Sequence, residues 1–401
     1  MQFSSKRLRL DRRALLVGLL SLGAAGRPVL AQPEDFQAFV QGVWPQAEAA
    51  GVSRETFERA TAELAPDPGV VVKPKVQSEF TVSIPTYVGG AVTKARVERG
   101  RALAKELSPV LHDIEKRFGA PGEIPLAILA IESNFGTATG GSDVLRVLAT
   151  LAWKGHLTEK LKEEFVAALL MLQDGFPRSR LRGSWAGAMG MPQFLPSTYR
   201  KFAVRYSGEG AADIWGSRQD ALASIASFLA GSGWVSGLSW GYETLVPENF
   251  DYASFDLDFA KFRSLGFTRA DGGALPASGA ASLYLPTGAA GPAFLLTDNW
   301  EVVRLYNTSD AYALAVGVLG DRIAGRDTLS KPWPKVTPLA TADIVKMQQA
   351  LAQKGVYQGA QDGKLGRGMR NAIHAWQLSA GVSPADGFAT RAALEKLLGG
   401  Q

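Results

Sequence analysis

One carboxyl stands apart in this sequence. The apolar run Ile124-Pro-Leu-Ala-Ile-Leu-Ala-Ile131 ends in Glu132, and Ser133-Asn134-Phe135-Gly136 then breaks the helical pattern. A carboxyl tethered to the end of a hydrophobic helix lies against an apolar wall, which disfavours its charged form and keeps a proton available near neutral pH. Donating that proton to a leaving oxygen is what cleavage of a glycoside requires. The same pattern also suits a glutamate pointing to solvent from a core helix, the commoner arrangement for such a residue.

Two further segments mix small, polar and aromatic residues. Ser184-Trp-Ala-Gly-Ala-Met-Gly-Met-Pro-Gln193-Phe-Leu-Pro-Ser-Thr198 allows close backbone approach while Ser184 and Gln193 supply hydrogen bonds, as in the floor of a sugar-binding groove. A loop-rich helix junction explains it equally well. Tyr306-Asn307-Thr308-Ser309-Asp310-Ala311-Tyr312 sets an asparagine and two tyrosines beside an apolar helix capped by Ser309 or Asp310. Such a mix suits a saccharide, and it is also a good turn and cap. Gly237-Leu-Ser239-Trp-Gly241 matches the nucleophile-elbow pattern without a strand-turn-helix context, and its histidine would have to be His374 from a separate terminal domain, so it reads as a glycine-rich loop.

The elements that must position these residues are mainly helical. From Asp35 to about Gly325 the apolar residues recur at helical spacing, as in Leu103, Leu107, Val110, Leu111 and Ile114. Between about Gly241 and Asn299 the chain is richer in Gly, Pro, Tyr and Phe, which predicts a small β-containing insertion. Lys331-Pro-Trp-Pro334 and Pro338 stop helix propagation and read as a linker. Beyond it, Gly355-Val356, Asp362-Gly363 and Arg370 are echoed by Gly381-Val382, Asp386-Gly387 and Arg391. Three short helices packing Ile344, Met347, Leu351, Ile373, Trp376, Leu394 and Leu397 are expected there.

The 401 residues, 46% hydrophobic and 20% charged, exclude a disordered or membrane-spanning chain. Residues 1–31 read as a cleavable export signal: basic Lys6, Arg7, Arg9, Arg12 and Arg13, an apolar stretch from Ala14 to Ala25, then Val29-Leu30-Ala31. Arg12-Arg13 resembles a twin-arginine signal, although Sec signals carry arginines too. Six of the 43 lysines and arginines and one of the 38 acids fall in this segment, so the mature chain is formally neutral and nucleic acid is excluded as a partner. The chain has no cysteine, and His112, His156 and His374 lie far apart, so no disulfide, thiol nucleophile, metal or other cofactor is expected.

Taken together, Glu132-Ser-Asn-Phe-Gly136, Ser184-Trp-Ala-Gly-Ala-Met-Gly-Met-Pro-Gln-Phe-Leu-Pro-Ser197 and Tyr306-Asn-Thr-Ser-Asp-Ala-Tyr-Ala313 resemble, in order, the motifs of the membrane-bound lytic transglycosylase B family. Leu148-Ala-Thr-Leu-Ala152 and Asp213-Ile-Trp215 extend the resemblance, which spans roughly Phe36 to Ile323. The segment after the linker resembles a peptidoglycan-binding domain through Gln348, Asp362-Gly363, Gly366, Ala372 and Trp376-Gln377. The resemblance implies a mainly α chain: a lysozyme-like catalytic domain with a small β-containing insertion over 32–330, a linker over 331–340 and a three-helix peptidoglycan-binding domain over 341–401. It further implies Glu132 as the catalytic acid and base, with Ser184, Gln193, Tyr306, Asn307 and Tyr312 lining the glycan site. The implied reaction cleaves the β-1,4 bond between N-acetylmuramic acid and N-acetylglucosamine of peptidoglycan strands in the periplasm, without water, leaving 1,6-anhydromuramic ends.

Two departures stand out. Family members are often lipoproteins, whereas this chain lacks cysteine, and an arginine pair common after Ala-Thr-Leu-Ala is replaced by Trp153-Lys-Gly-His-Leu157. A hydrolytic muramidase is the first alternative; it needs a second carboxylate near Glu132, with Asp143 or Asp213 the first to inspect. An inactive wall-binding scaffold is the second.

Overall fold

The computed structural model describes residues 35–70 and 82–399, apart from 156, 249, 327, 328 and 336. The export signal read over residues 1–31 and the histidine at 156 lie outside the described residues. The chain is mainly helical, as expected, and the helices before the terminal unit gather around two apolar cores.

The first core is organised by the helix Glu123–Ser133. Every residue from Ile124 to Ala130 is buried, which is why the run lacks a polar stripe: neighbours cover the helix on all sides. Those neighbours include Lys94–Glu106, Arg218–Gly231 and Asp310–Ile323. The second core packs Phe36–Gly42, Arg54–Thr61, Val144–Trp153 and Thr158–Gln173 around Phe57, Leu148, Phe165 and Leu169. The loop after Ser184 lies between the two cores, with Met189 and Phe194 in the second and Met191 in the first.

The predicted β-containing insertion is a five-stranded sheet. Gly241–Leu245 pairs antiparallel with Ala293–Leu296, Tyr242 opposite Leu295, and Ala280–Tyr284 continues the sheet with Leu283 also opposite Leu295. Asp256–Asp258 and Thr268–Arg269 form its edges. Phe259, Phe262 and Phe267 cover one face with Leu283 and Leu295. The Gly237–Gly241 segment is a turn running into a strand rather than an elbow before a helix, and the Ser239 carbonyl accepts the Thr297 hydroxyl at 2.5 Å.

Thr341–Gln353, Arg367–Ser379 and Arg391–Gly399 form the terminal three-helix unit. All seven residues expected in its core are buried there. The weak repeat has a physical basis. The buried Gln348 side chain accepts the Gly363 amide at 2.9 Å, and the buried Gln377 accepts the Gly387 amide at 2.7 Å. In each copy the preceding aspartate accepts the amide two residues on, Lys364 to Asp362 at 3.1 Å and Phe388 to Asp386 at 3.0 Å. A glutamine on a helix thus pins an Asp-Gly turn, whose glycine takes a positive φ (74° and 68°).

Tyr284, Phe294 and Leu296 join the sheet to the first helical core, and a contact just before the sheet adds to this. A Cβ on Gly317 would fall 2.4 Å from the Trp240 ring, so glycine there admits the indole onto the Asp310–Ile323 helix. One turn later Asp321 accepts the indole N–H at 3.2 Å and pairs with Arg326. Burial outweighs these partners and pushes the Asp321 carboxyl from 3.8 up to about 6. A raised carboxyl pKa adds stability below the unfolded value and loses it as pH rises through the folded one. Relative to Asp321→Asn, the native protein should therefore lose stability between pH 3.8 and about 6. Denaturant melts of both proteins across that range check this, and parallel curves would refute it.

Candidate active site

Glu132 occupies the last turn of its helix, half-buried, and the residues after it reverse the chain at once. Asn134 and Phe135 take left-handed conformations (φ 49° and 60°), and their amides satisfy the carbonyls of Ala130 and Leu129, both at 3.1 Å. Ser133 closes the turn by donating to the Leu129 carbonyl at 3.2 Å and accepting the Gly136 amide at 3.0 Å. Phe135 is fully buried. A Cβ on Gly136 would sit 2.6 Å from the Met191 sulfur, so this glycine lets the glutamate turn press against the loop of the second segment.

The third segment supplies the partner of the carboxyl. Tyr312 stands on the first turn of Asp310–Ile323, where Ser309 is the cap and its hydroxyl accepts the Tyr312 amide at 3.3 Å. The Tyr312 phenol donates to Glu132 Oε1 at 2.6 Å. Burial, then the negative charge of Glu132, push the Tyr312 phenol well above its usual range, so it remains a donor. Tyr306 stacks on it with ring centroids 6.3 Å apart and 12° between planes, and donates to the Pro192 carbonyl at 2.7 Å. Its phenol is raised by the same two causes. Asn307 ends the preceding helix, Asp298–Asn307.

The second segment forms a tight loop rather than an open tray of free polar groups. Ser184 Oγ accepts the amides of Ala186 at 3.3 Å and Ala188 at 3.2 Å. Gln193 takes a left-handed backbone (φ 54°), and its side-chain amide donates to the carbonyls of Gly190 at 2.8 Å and Thr139 at 3.3 Å. Among the described non-glycine residues with positive φ, Asn134, Phe135, Gln193 and Thr308 all belong to the three segments. Strain of this kind persists where surrounding packing over-determines it, and it concentrates at functional sites.

The structure brings Glu132, Tyr312, Tyr306 and the Met191–Gln193 turn together. Asp143 and Asp213, the carboxylates a hydrolytic site would call on, are otherwise engaged. Asp143 caps Val144–Trp153 through the Arg146 amide at 3.1 Å and pairs with Arg178 at 3.3 Å. Partial burial pushes Asp213 upward, but the Gly216 amide, Arg180 at 2.5 Å and the Trp215 amide hold it below the usual carboxylate range. Among the described residues no group of three or more His, Asp or Glu side chains is placed to hold a metal, and no helix is long and apolar enough to cross a membrane. Sequence reasoning missed Tyr87, near enough to Tyr312 to bear on its phenol, and the hydrogen bond by which Tyr312 partners the carboxyl. Nothing local in the sequence marks either role.

Comparison with known proteins follows the same lines. A model described as "Transglycosylase SLT domain" matches residues 35–321, and "Putative peptidoglycan binding domain" matches 341–397. A curated relative, membrane-bound lytic murein transglycosylase B of Escherichia coli strain K12, is 30% identical over 242 residues, 58% of this chain. The match spans 65% of that relative's length. Among solved structures, SltB3 from Pseudomonas aeruginosa in complex with NAG-NAM-pentapeptide is 40% identical, covering 90% of this chain and 99% of that one at a TM-score of 0.81. Soluble lytic transglycosylase SltB1 from Pseudomonas aeruginosa is 25% identical, covering 72% and 98% at a TM-score of 0.61. With the family's model extending from the first described helix through the helix that carries Tyr312, the chain belongs to the transglycosylase SLT domain family.

Proposed function

We propose that this protein is a lytic murein transglycosylase, cleaving the β-1,4 bond between N-acetylmuramic acid and N-acetylglucosamine in peptidoglycan and leaving 1,6-anhydromuramic ends. The observation that carries the reading is the Glu132 carboxyl, which accepts a hydrogen bond from the Tyr312 phenol at 2.6 Å, while Asp143 and Asp213 are spent on caps and arginines. A hydrolase flanks the scissile bond with two carboxyl groups. One suffices here: Glu132 protonates the glycosidic oxygen, then as carboxylate takes the proton from the muramic O6 hydroxyl as O6 attacks C1. Ser184, Gln193, Tyr306 and Asn307 line the glycan site, while Tyr312 sets the angle of the acid.

The layout we propose is an export signal over 1–31, a catalytic domain over 32–330, a linker over 331–340 and a peptidoglycan-binding domain over 341–401, acting in the periplasm. The SltB3 complex with a NAG-NAM-pentapeptide supports the choice of substrate. Holding the wall beside the acid raises the local concentration of glycan strands.

Digestion of purified sacculi by residues 32–401, with muropeptides resolved by mass, tests the reaction. Anhydromuropeptides are expected, one water lighter than hydrolytic products, and Glu132→Gln should slow their release by about 10²–10⁴-fold. Reducing muropeptides would instead mark a muramidase, and products from neither protein a wall-binding scaffold. Tyr312→Phe separates orientation from binding: losing a hydrogen bond to a charged group should lower kcat by about 10- to 100-fold. KM should stay near the native value, whereas a raised KM with normal kcat would return Tyr312 to the sugar contacts.

A further inference from the structure

The corner between Asp298–Asn307 and Asp310–Ile323 carries Tyr306, Asn307 and Tyr312 within seven residues, and it turns through Thr308 at a φ of 39°. A threonine in the left-handed region is strained, and surrounding contacts must hold such a turn. Part of the hold is local: Arg304 pairs with Glu301 and with Asp310, each at 2.8 Å. A further part comes from the terminal three-helix unit. Arg367 reaches Glu301 and Arg370 reaches Asp310.

The second contact is well sheltered. The side chains of Arg370 and Asp310 are 15% and 13% exposed, and the Arg370 guanidinium lies 4.9 Å over the Tyr284 ring of the sheet. Burial alone would push Asp310 up, and Arg370 followed by Arg304 brings it below the usual carboxylate range. Arg367, Arg370 and His374 share one helix face by their spacing. His374 stacks on Phe255 at 4.2 Å, and its Nε2 lies 2.6 Å from the Tyr252 carbonyl. On the neighbouring turn Asp386 accepts the Ala289 amide at 3.0 Å. Asp310 is the first residue of the helix on which Tyr312 stands, so any play at Asp310 is passed to the phenol that orients Glu132.

We infer that the terminal unit is a structural part of the active site as well as a wall-binding module: Arg370 is a positioning residue that holds Asp310, and through it Tyr312, against Glu132. The inference rests on the proposed reaction, and its test keeps the two apart by using a soluble, uncross-linked glycan strand as substrate and measuring sacculus binding separately by pelleting.

Coupling carried through packed contacts of this kind predicts that Arg370→Ala lowers kcat by about 3- to 30-fold. KM and sacculus binding should hold within about twofold, because the Arg370 guanidinium is turned into the junction, onto Asp310 and the Tyr284 ring. Arg370→Lys, which keeps the charge without the fork, should recover part of the rate. In a Tyr312→Phe background, Arg370→Ala should cost less than about twofold, since residues acting through one another are not additive. If Arg370→Ala melts early, Asp310→Asn carries the same cycle with a smaller change in volume. A native rate in Arg370→Ala, or losses that multiply in the double variant, would overturn the inference while leaving the reaction standing. A native protein that releases no anhydro product would overturn the reaction and the inference with it.

Discussion

The hydrogen bond from Tyr312 to Glu132 joins two helices whose middles are apolar and buried, and the position of the carboxyl depends on how those helices are seated. A carboxyl at the end of a hydrophobic helix loses hydration and needs a donor, and a buried donor is useful only when it cannot turn away. Tyr312 is held from both ends. Its amide is capped by Ser309, and its helix is seated by Trp240 lying on Gly317 and bonding Asp321.

The loop of the second segment answers a different constraint. It runs between two cores and alternates its anchors, with Met189 and Phe194 on one side and Met191 on the other. Its polar groups bond mainly to its own backbone, which lets a loop with few free donors keep one shape. The left-handed residues at Asn134, Gln193 and Thr308 are tolerated because each sits in a turn locked by packing or caps. The strained turns therefore belong to the rigid part of the molecule.

The terminal unit spends its internal glutamines on its own two Asp-Gly turns and one face of its middle helix on the body of the protein. The sheltered charge at that junction is matched, Arg370 to Asp310, so removing either partner would strand the other. Through Arg367 and Arg370 that face touches the corner that bears Tyr306, Asn307 and Tyr312.

Much of this was legible in the chain itself. Helical spacing marked the glutamate helix, the Gly- and aromatic-rich stretch marked the sheet, and seven core positions of the terminal unit were readable from periodicity. The order of the three motifs named the family before any geometry was known. Such features are local, since a helix end, a cap or a turn is encoded within a few residues of itself. Other features could be decided only by the tertiary structure: that Tyr312, 180 residues from Glu132, donates to it; that Asp143 and Asp213 are spent elsewhere; and that Arg370 reaches Asp310. These depend on which surfaces meet when the chain closes on itself, and no residue's local pattern carries the identity of a distant partner.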